Sequence, residues 1–120
     1  MSKSARSIFV FSIYMFALGA VLLLQPNLLL RLFLFPETDE IWIRVVGMLV
    51  LILGFYYFQA SKGELRIFFQ ATVYGRTAVL VFFVAFALLD MAPLTLVLFG
   101  LVDALAALWT HRSLRSEKPA

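Results

Sequence analysis

LRIFFQATVYGRTAVLVFFVAFALL, residues 65–89, is an apolar run long enough to cross a bilayer, with one arginine, Arg76, near its middle. A helix rises about 1.5 Å per residue, so roughly 20 such residues cover a hydrocarbon core about 30 Å thick. A lone charge at that depth costs roughly 2.5–3.5 kcal/mol on insertion scales. Residues 65–89 are therefore stable as a span only if Arg76 faces the interior of a bundle, against other helices of the same chain.

Those helices are present on both sides. Residues 8–24, 41–58 and 93–109 are also apolar, and 120 residues suffice for one membrane domain, 1–120. Hydrophobic residues make up 63% of the chain and charged residues 14%, against about 45–50% and about 25% in soluble domains. So few polar residues cannot cover a small protein, and lipid has to take their place. The expected fold is all-α: a polytopic membrane protein, a four-transmembrane-helix antiparallel bundle. Residues 26–35, PNLLLRLFLF, are too short to span and read as a short interfacial helix after the first span, with Arg31 turned to headgroups. The tight connections Ser61-Lys62-Gly63 and Asp90-Met91-Ala92-Pro93 predict that sequential spans are antiparallel and adjacent. Residues 8–24 also read as a signal peptide, with Ala17-Leu18-Gly19-Ala20 as a small-residue cleavage region, but bulky residues continue past it as Val21 to Leu24. LLLQP before Pro26 and LLDMAP before Pro93 suggest an echo between the two halves.

Positive residues mark the cytoplasmic ends of spans. With the N-terminus inside, Lys3, Arg6, Lys62, Arg66, Arg112, Arg115 and Lys118 are cytoplasmic, and Arg31 alone stands outside beside Glu37, Asp39, Glu40 and Asp90. Both termini are expected in the cytoplasm, across a bacterial inner membrane. Trp42 at one end, and Tyr56, Tyr57 and Trp109 at the other, occupy the interfacial belt. The net charge of +3 sits at the ends of apolar runs, a topology pattern rather than a nucleic-acid surface.

Chemistry is sparse. There is no cysteine and one histidine, His111, so a thiolate nucleophile, a disulfide and a His-rich metal or haem site within one chain are excluded. No glycine-rich phosphate loop or nucleophile–His–Asp set is present. No catalytic residue, metal site or cofactor is expected, beyond a bound lipid. What remains is an intramembrane polar cluster. Arg76 and Asp103 fall at similar depth on neighbouring spans and are expected to form a buried ion pair. Thr72 lies one turn from Arg76, while Gln70 and Tyr74 flank it as further hydrogen-bonding groups. Arg44 lies one turn inside the outer boundary, where it snorkels, pairs with Glu40, or joins Arg76 and Asp103 around a polar cavity. Gly100, Ala106, Ala107 and Thr110 beside Asp103, Gly47 and Gly54 in the second span, and Ser12 and Gly19 in the first, form small-residue stripes suited to helix packing.

Trp42-Ile43-Arg44-Val45-Val46-Gly47 and Thr72-Val73-Tyr74-Gly75-Arg76, together with helix number and length over most of the chain, resemble small bacterial four-helix integral membrane proteins without assigned activity and, distantly, the DoxX-type family. The resemblance implies a four-helix bundle and, in some members, an accessory subunit of a redox complex; it carries over no functional residues. Two functions follow as expectations, with a third behind them, a membrane enzyme acting on a lipid or quinone for which only isolated Asp, Arg, Tyr and His residues are available. One is a non-catalytic accessory subunit or homo-oligomeric assembly, with membrane lipids and a second copy or another membrane protein as partners. The other is a small transporter or a lipid- or quinone-binding protein that uses Arg76 and Asp103.

Overall fold

The computed structural model describes residues 1–117, so Lys118, read above as a cytoplasmic charge, lies outside the described residues. Five helices follow one another: α1 (Lys3–Leu24), α2 (Pro26–Leu32), α3 (Trp42–Lys62), α4 (Arg66–Leu88) and α5 (Leu96–Ser116). All but α2 are long and apolar enough to cross a membrane. They form the expected all-α antiparallel bundle, with one short helix after the first long one. The boundaries differ from the apolar runs because caps, not hydropathy, end helices. α1 begins at Lys3 rather than residue 8, because the Ser2 hydroxyl accepts the Ala5 N–H at 3.1 Å. α5 continues past 109 to Ser116, where Ser113 and Leu114 are buried.

Three helices end in one geometry. After α2, α3 and α4 the chain passes through a left-handed residue, Leu34 (φ 64°), Glu64 (φ 54°) and Asp90 (φ 56°). Each time the following amide reaches back: Phe35 to the Leu30 carbonyl, Leu65 to that of Ala60, Met91 to that of Phe86. These are Schellman caps, which usually place glycine at the left-handed position. Gly63 is one residue early and right-handed, at φ −83°. Glu64 holds the strained position instead, and its carboxylate accepts the Ser2 N–H at 3.0 Å, tying the α3–α4 turn to the start of α1.

The long helices associate as two pairs, α1 with α3 and α4 with α5, joined chiefly where α1 meets α5. The α1–α3 crossing depends on glycine. A methyl built at Gly47 would lie 2.6 Å from the Leu23 amide nitrogen, and one at Gly19 would lie 2.9 Å from the Gly47 carbonyl oxygen. In the second pair, Gly100 lets α5 approach Leu80 and Phe83 of α4, where a methyl would come within 3.0 Å of the Leu80 backbone. The small-residue stripes thus act as packing surfaces.

One expectation fails here. The tight Lys62–Leu65 turn does not make α3 and α4 packed neighbours; the two helices run antiparallel without packing along each other. Both turn their small or buried faces elsewhere, α3 toward α1 through Gly47 and Gly54, and α4 toward α5 through Phe69, Thr72 and Arg76. Near the chain termini, here called the terminal end, Ala5, Ile8, Ala60, Phe69 and Leu114 close a dense core. Toward the opposite end, where α2 lies, the gap between the two pairs is hollow. The outside of the bundle is apolar nearly throughout, with Ile67, Val81, Leu88 and Leu105 among the exposed side chains.

Gly47→Ala is expected to destabilise the purified protein by about 1–3 kcal/mol, the usual cost of overpacking. Gly75→Ala, whose methyl would meet nothing within 4 Å, should be neutral or mildly stabilising, because alanine is the better helix former. Thermal unfolding of the two variants in one detergent makes the comparison.

Candidate functional site

Arg76 is the most buried charge among the described residues, 2% exposed. Its guanidinium has five N–H donors and no means of losing its proton. Three are satisfied. Nε donates to the Thr72 carbonyl at 3.3 Å, and Nη2 donates to the hydroxyls of Thr72 at 3.1 Å and Thr110 at 2.9 Å. Each threonine passes the bond on. The Thr72 hydroxyl donates to the Phe69 carbonyl at 2.7 Å. The Thr110 hydroxyl lies 2.7 Å from that of Ser7, which donates to the Ser4 carbonyl at 2.7 Å. Every hydroxyl is thus satisfied within an otherwise apolar core. The guanidinium also lies over the Phe11 ring, 4.8 Å from its centroid, a cation–π contact strengthened by exclusion of water. The remaining nitrogen, Nη1, is buried and has no partner. Two N–H groups of a permanent cation therefore stand unpaired, a costly arrangement unless something fills it.

Arg76 also lines the hollow between the helix pairs, a cavity of about 550 Å³, inside the range of small-molecule sites. Its walls are apolar, from Met15, Leu18, Val50 and Val79 among others, and Leu30, Phe33 and Phe35 of α2 and its cap cover the end away from the termini. That roof is fixed by the Thr95 hydroxyl, which donates to the Phe33 carbonyl, and by the Phe33 and Phe99 rings, 4.4 Å apart. Four polar side chains line the cavity: Arg76, Asp103, Tyr14 and Tyr57.

The expected Arg76–Asp103 ion pair is absent; the ion pairs among the described residues are Arg31–Glu37, at 3.0 Å, and Arg66–Glu117. Side chains on a helix lean toward its N-terminus. Arg76 therefore leans to the terminal end and meets Thr110, about two turns from Asp103, while Asp103 on the antiparallel α5 leans the other way. Both still line one cavity, without an ion pair between them. Arg44 does not join them. It is exposed, and its Nη1 donates to the Leu23 and Leu24 carbonyls left open at the end of α1; it forms no pair with Glu40. Tyr74 is 80% exposed and lies with Gln70 and His111 along an outer groove between α4 and α5. Two residues along a helix is about 200° of rotation, which carries Tyr74 away from the Arg76 face. Arg31 pairs with Glu37 at the surface.

Sequence reasoning missed Tyr57, read as interfacial but turned into the cavity, and Tyr14 and Phe11 with it. Phe11, Tyr14 and Leu18 recur at helical spacing on α1, the one signal that pointed to a shared face. It also missed Ser7 and Thr110 as carriers of the arginine, because hydroxyls in apolar helices usually bond their own backbone. Among the described residues no three His, Asp or Glu side chains converge as metal ligands.

A carboxylate clasp closes the terminal end. Glu117 accepts the Ser4 N–H and hydroxyl, each at 2.8 Å, and pairs with Arg66. It therefore caps the N-terminus of α1 from the far end of the chain. Burial would raise the Glu117 carboxyl, but the Ser4 bonds and Arg66 outweigh it and hold it below its ordinary 4.5. Hydrogen bonding from Ser2 likewise lowers Glu64 from 4.5.

No protein-family model matches this chain, and neither does any curated protein or solved structure.

Thr110→Val should destabilise the protein by roughly 1–3 kcal/mol, because it strands another guanidinium N–H. Asp103→Asn should change stability far less than the roughly 3–5 kcal/mol lost when a buried ion pair is broken; chemical unfolding of both variants decides. Both clasp carboxyls have lowered folded-state values, so their contribution is complete above the ordinary 4.5 and drains away as pH falls through those values. Melting temperature should accordingly drop below about pH 4, and Glu117→Gln, less stable at neutral pH, should show a shallower drop.

Proposed function

We propose that this protein is a membrane-embedded binding protein for a lipophilic small molecule with a polar head, of lipid or quinone type, and that Arg76 and Asp103 hold the head. The observation that carries this reading is the buried, unpartnered Nη1 of Arg76 at the floor of an apolar cavity of about 550 Å³. A helix bundle needing only structural register would be served by an apolar residue at position 76, since buried charges seldom add net stability. A guanidinium held by three bonds, in a residue that lines a hollow and keeps two donors unpaired, is an arrangement suited to an oxygen-bearing ligand.

The four long apolar helices and the apolar outer surface support an integral membrane location. The distribution of basic residues supports the inner membrane of a bacterium with both termini cytoplasmic. Asp103, Tyr14 and Tyr57 add an acceptor and two hydroxyls around the head. The reading needs no catalysis, and a carrier role in transport uses the same site.

A second reading, a homo-oligomer or accessory subunit, draws on the outer groove between α4 and α5. It is lined by Ala78, Ala104 and Ala107, small enough for another helix to approach, with Tyr74 and His111 beside them. The weak DoxX-type resemblance favours the accessory role.

Native mass spectrometry of protein extracted in mild detergent separates the two. The binding reading expects a discrete added mass on the wild-type chain that is lost or sharply reduced in Arg76→Gln and Asp103→Asn variants that still fold. A bare oligomer, or a co-purifying subunit with no small adduct, would replace it with the assembly reading.

A further inference from the structure

The proposed ligand must reach a cavity whose two ends are shut. Leu30, Phe33 and Phe35 cover one end, and the core of Ile8, Phe69 and Leu114 with the Glu117 clasp fills the other. The side between α3 and α4 is different. These helices do not pack along each other, and what closes the space between them near the turn is one aromatic contact, Tyr57 edge-on to Phe68 with centroids 5.2 Å apart. About two turns further along α4, on the same face, stands Gly75. Gly75 is exposed, lines the cavity, and has nothing within 4 Å of the position a Cβ would occupy. Opposite it on α3, Val46 and Leu53 also line the cavity while remaining 45% and 46% exposed. Residues that face the cavity and the outside at once mark an opening. A glycine at its edge, next to the arginine that forms the floor, keeps it free of a side chain.

We propose that the cavity is loaded sideways, through a doorway between α3 and α4 with Gly75 as its sill, by an uncharged lipophile whose head both accepts and donates hydrogen bonds. This rests on the binding reading above and adds the route and the head chemistry. A lateral opening on an apolar flank admits molecules dissolved in lipid, not in water. Arg76, with two N–H groups unpaired, and Asp103, with its carboxyl, line the same cavity. A carbonyl oxygen meets the first and an O–H or N–H the second. An anionic head would satisfy Arg76 but bring a second negative charge into the cavity that Asp103 lines, and like charges sharing a site disfavour ionisation.

The test uses the full chain with the exposed Trp42 and Trp109 replaced by phenylalanine, a single tryptophan reporter in the cavity, Phe83→Trp, and two brominated probes of equal chain length, dibromostearamide and dibromostearate, in detergent or vesicles. The amide should quench the reporter more strongly than the carboxylate, with Asp103→Asn narrowing the difference. Gly75→Leu should slow association of the amide roughly tenfold, as expected for a steric gate on association, while leaving the melting temperature unchanged or higher. Leu105, which faces outward, supplies the control: Leu105→Ala should leave the rate unaltered. If the parent binds the amide and Gly75→Leu binds it at the same rate, the doorway is wrong while the binding reading stands. If the carboxylate binds as well as the amide, the head chemistry is wrong. If neither probe reaches the reporter in the parent, the binding reading falls and the doorway with it.

Discussion

The hold of Thr72 and Thr110 on the Arg76 guanidinium fixes the rest of the bundle. Arginine keeps its charge at any accessible pH and cannot be buried without partners. The partners come from α4 itself and from α5, and Ser7 of α1 stands behind Thr110. One buried cation therefore joins α1, α4 and α5 at a single level and sets how the α4–α5 pair meets the α1–α3 pair. The glycine contacts act within pairs; the hydroxyl chain acts between them. Below Arg76 the core is dense and partly polar. Above it, α3 and α4 do not pack along each other, and the cavity lies between the two pairs.

The charges at the surface have different work. Arg44 and Glu117 each satisfy backbone groups at an end of α1, the carbonyls of Leu23 and Leu24 at one and the Ser4 amide at the other. α1 touches every other helix, so both caps sit on the element the bundle is built around. The same helix carries the leader-like sequence, and its burial explains why serines recur in it: Ser4, Ser7 and Ser12 are small and buried and allow close approach; Ser7 and Ser12 bond carbonyls three residues back, while the Ser4 hydroxyl is taken up by Glu117.

The fold was largely legible in the sequence because helix period and bilayer length are both strong signals. Apolar runs located the four long helices, and the prolines at 26 and 36 bracketed α2 and its cap. Depth was legible too: Arg76 and Asp103 do share one cavity. Direction was not. Equal depth on antiparallel helices does not bring two side chains together when each leans toward its own N-terminus, and that turned an expected ion pair into two separate groups on one cavity. Arg44 was misread for a related reason. An arginine one turn inside a span looks like a partner for charge, but the nearer demand was the set of open carbonyls at the end of α1. The α3–α4 gap could not be read from a three-residue turn, since turn length limits where two helices start and says nothing of how their faces diverge.

An experimental density map of the protein purified in native lipid bears most directly on the central claim. The account expects Nη2 of Arg76 against the Thr110 hydroxyl, and elongated non-protein density within hydrogen-bond distance of Nη1 that leads out past Gly75 between α3 and α4. A guanidinium swung onto the Asp103 carboxylate, with α3 and α4 packed together and no space between them, would contradict it.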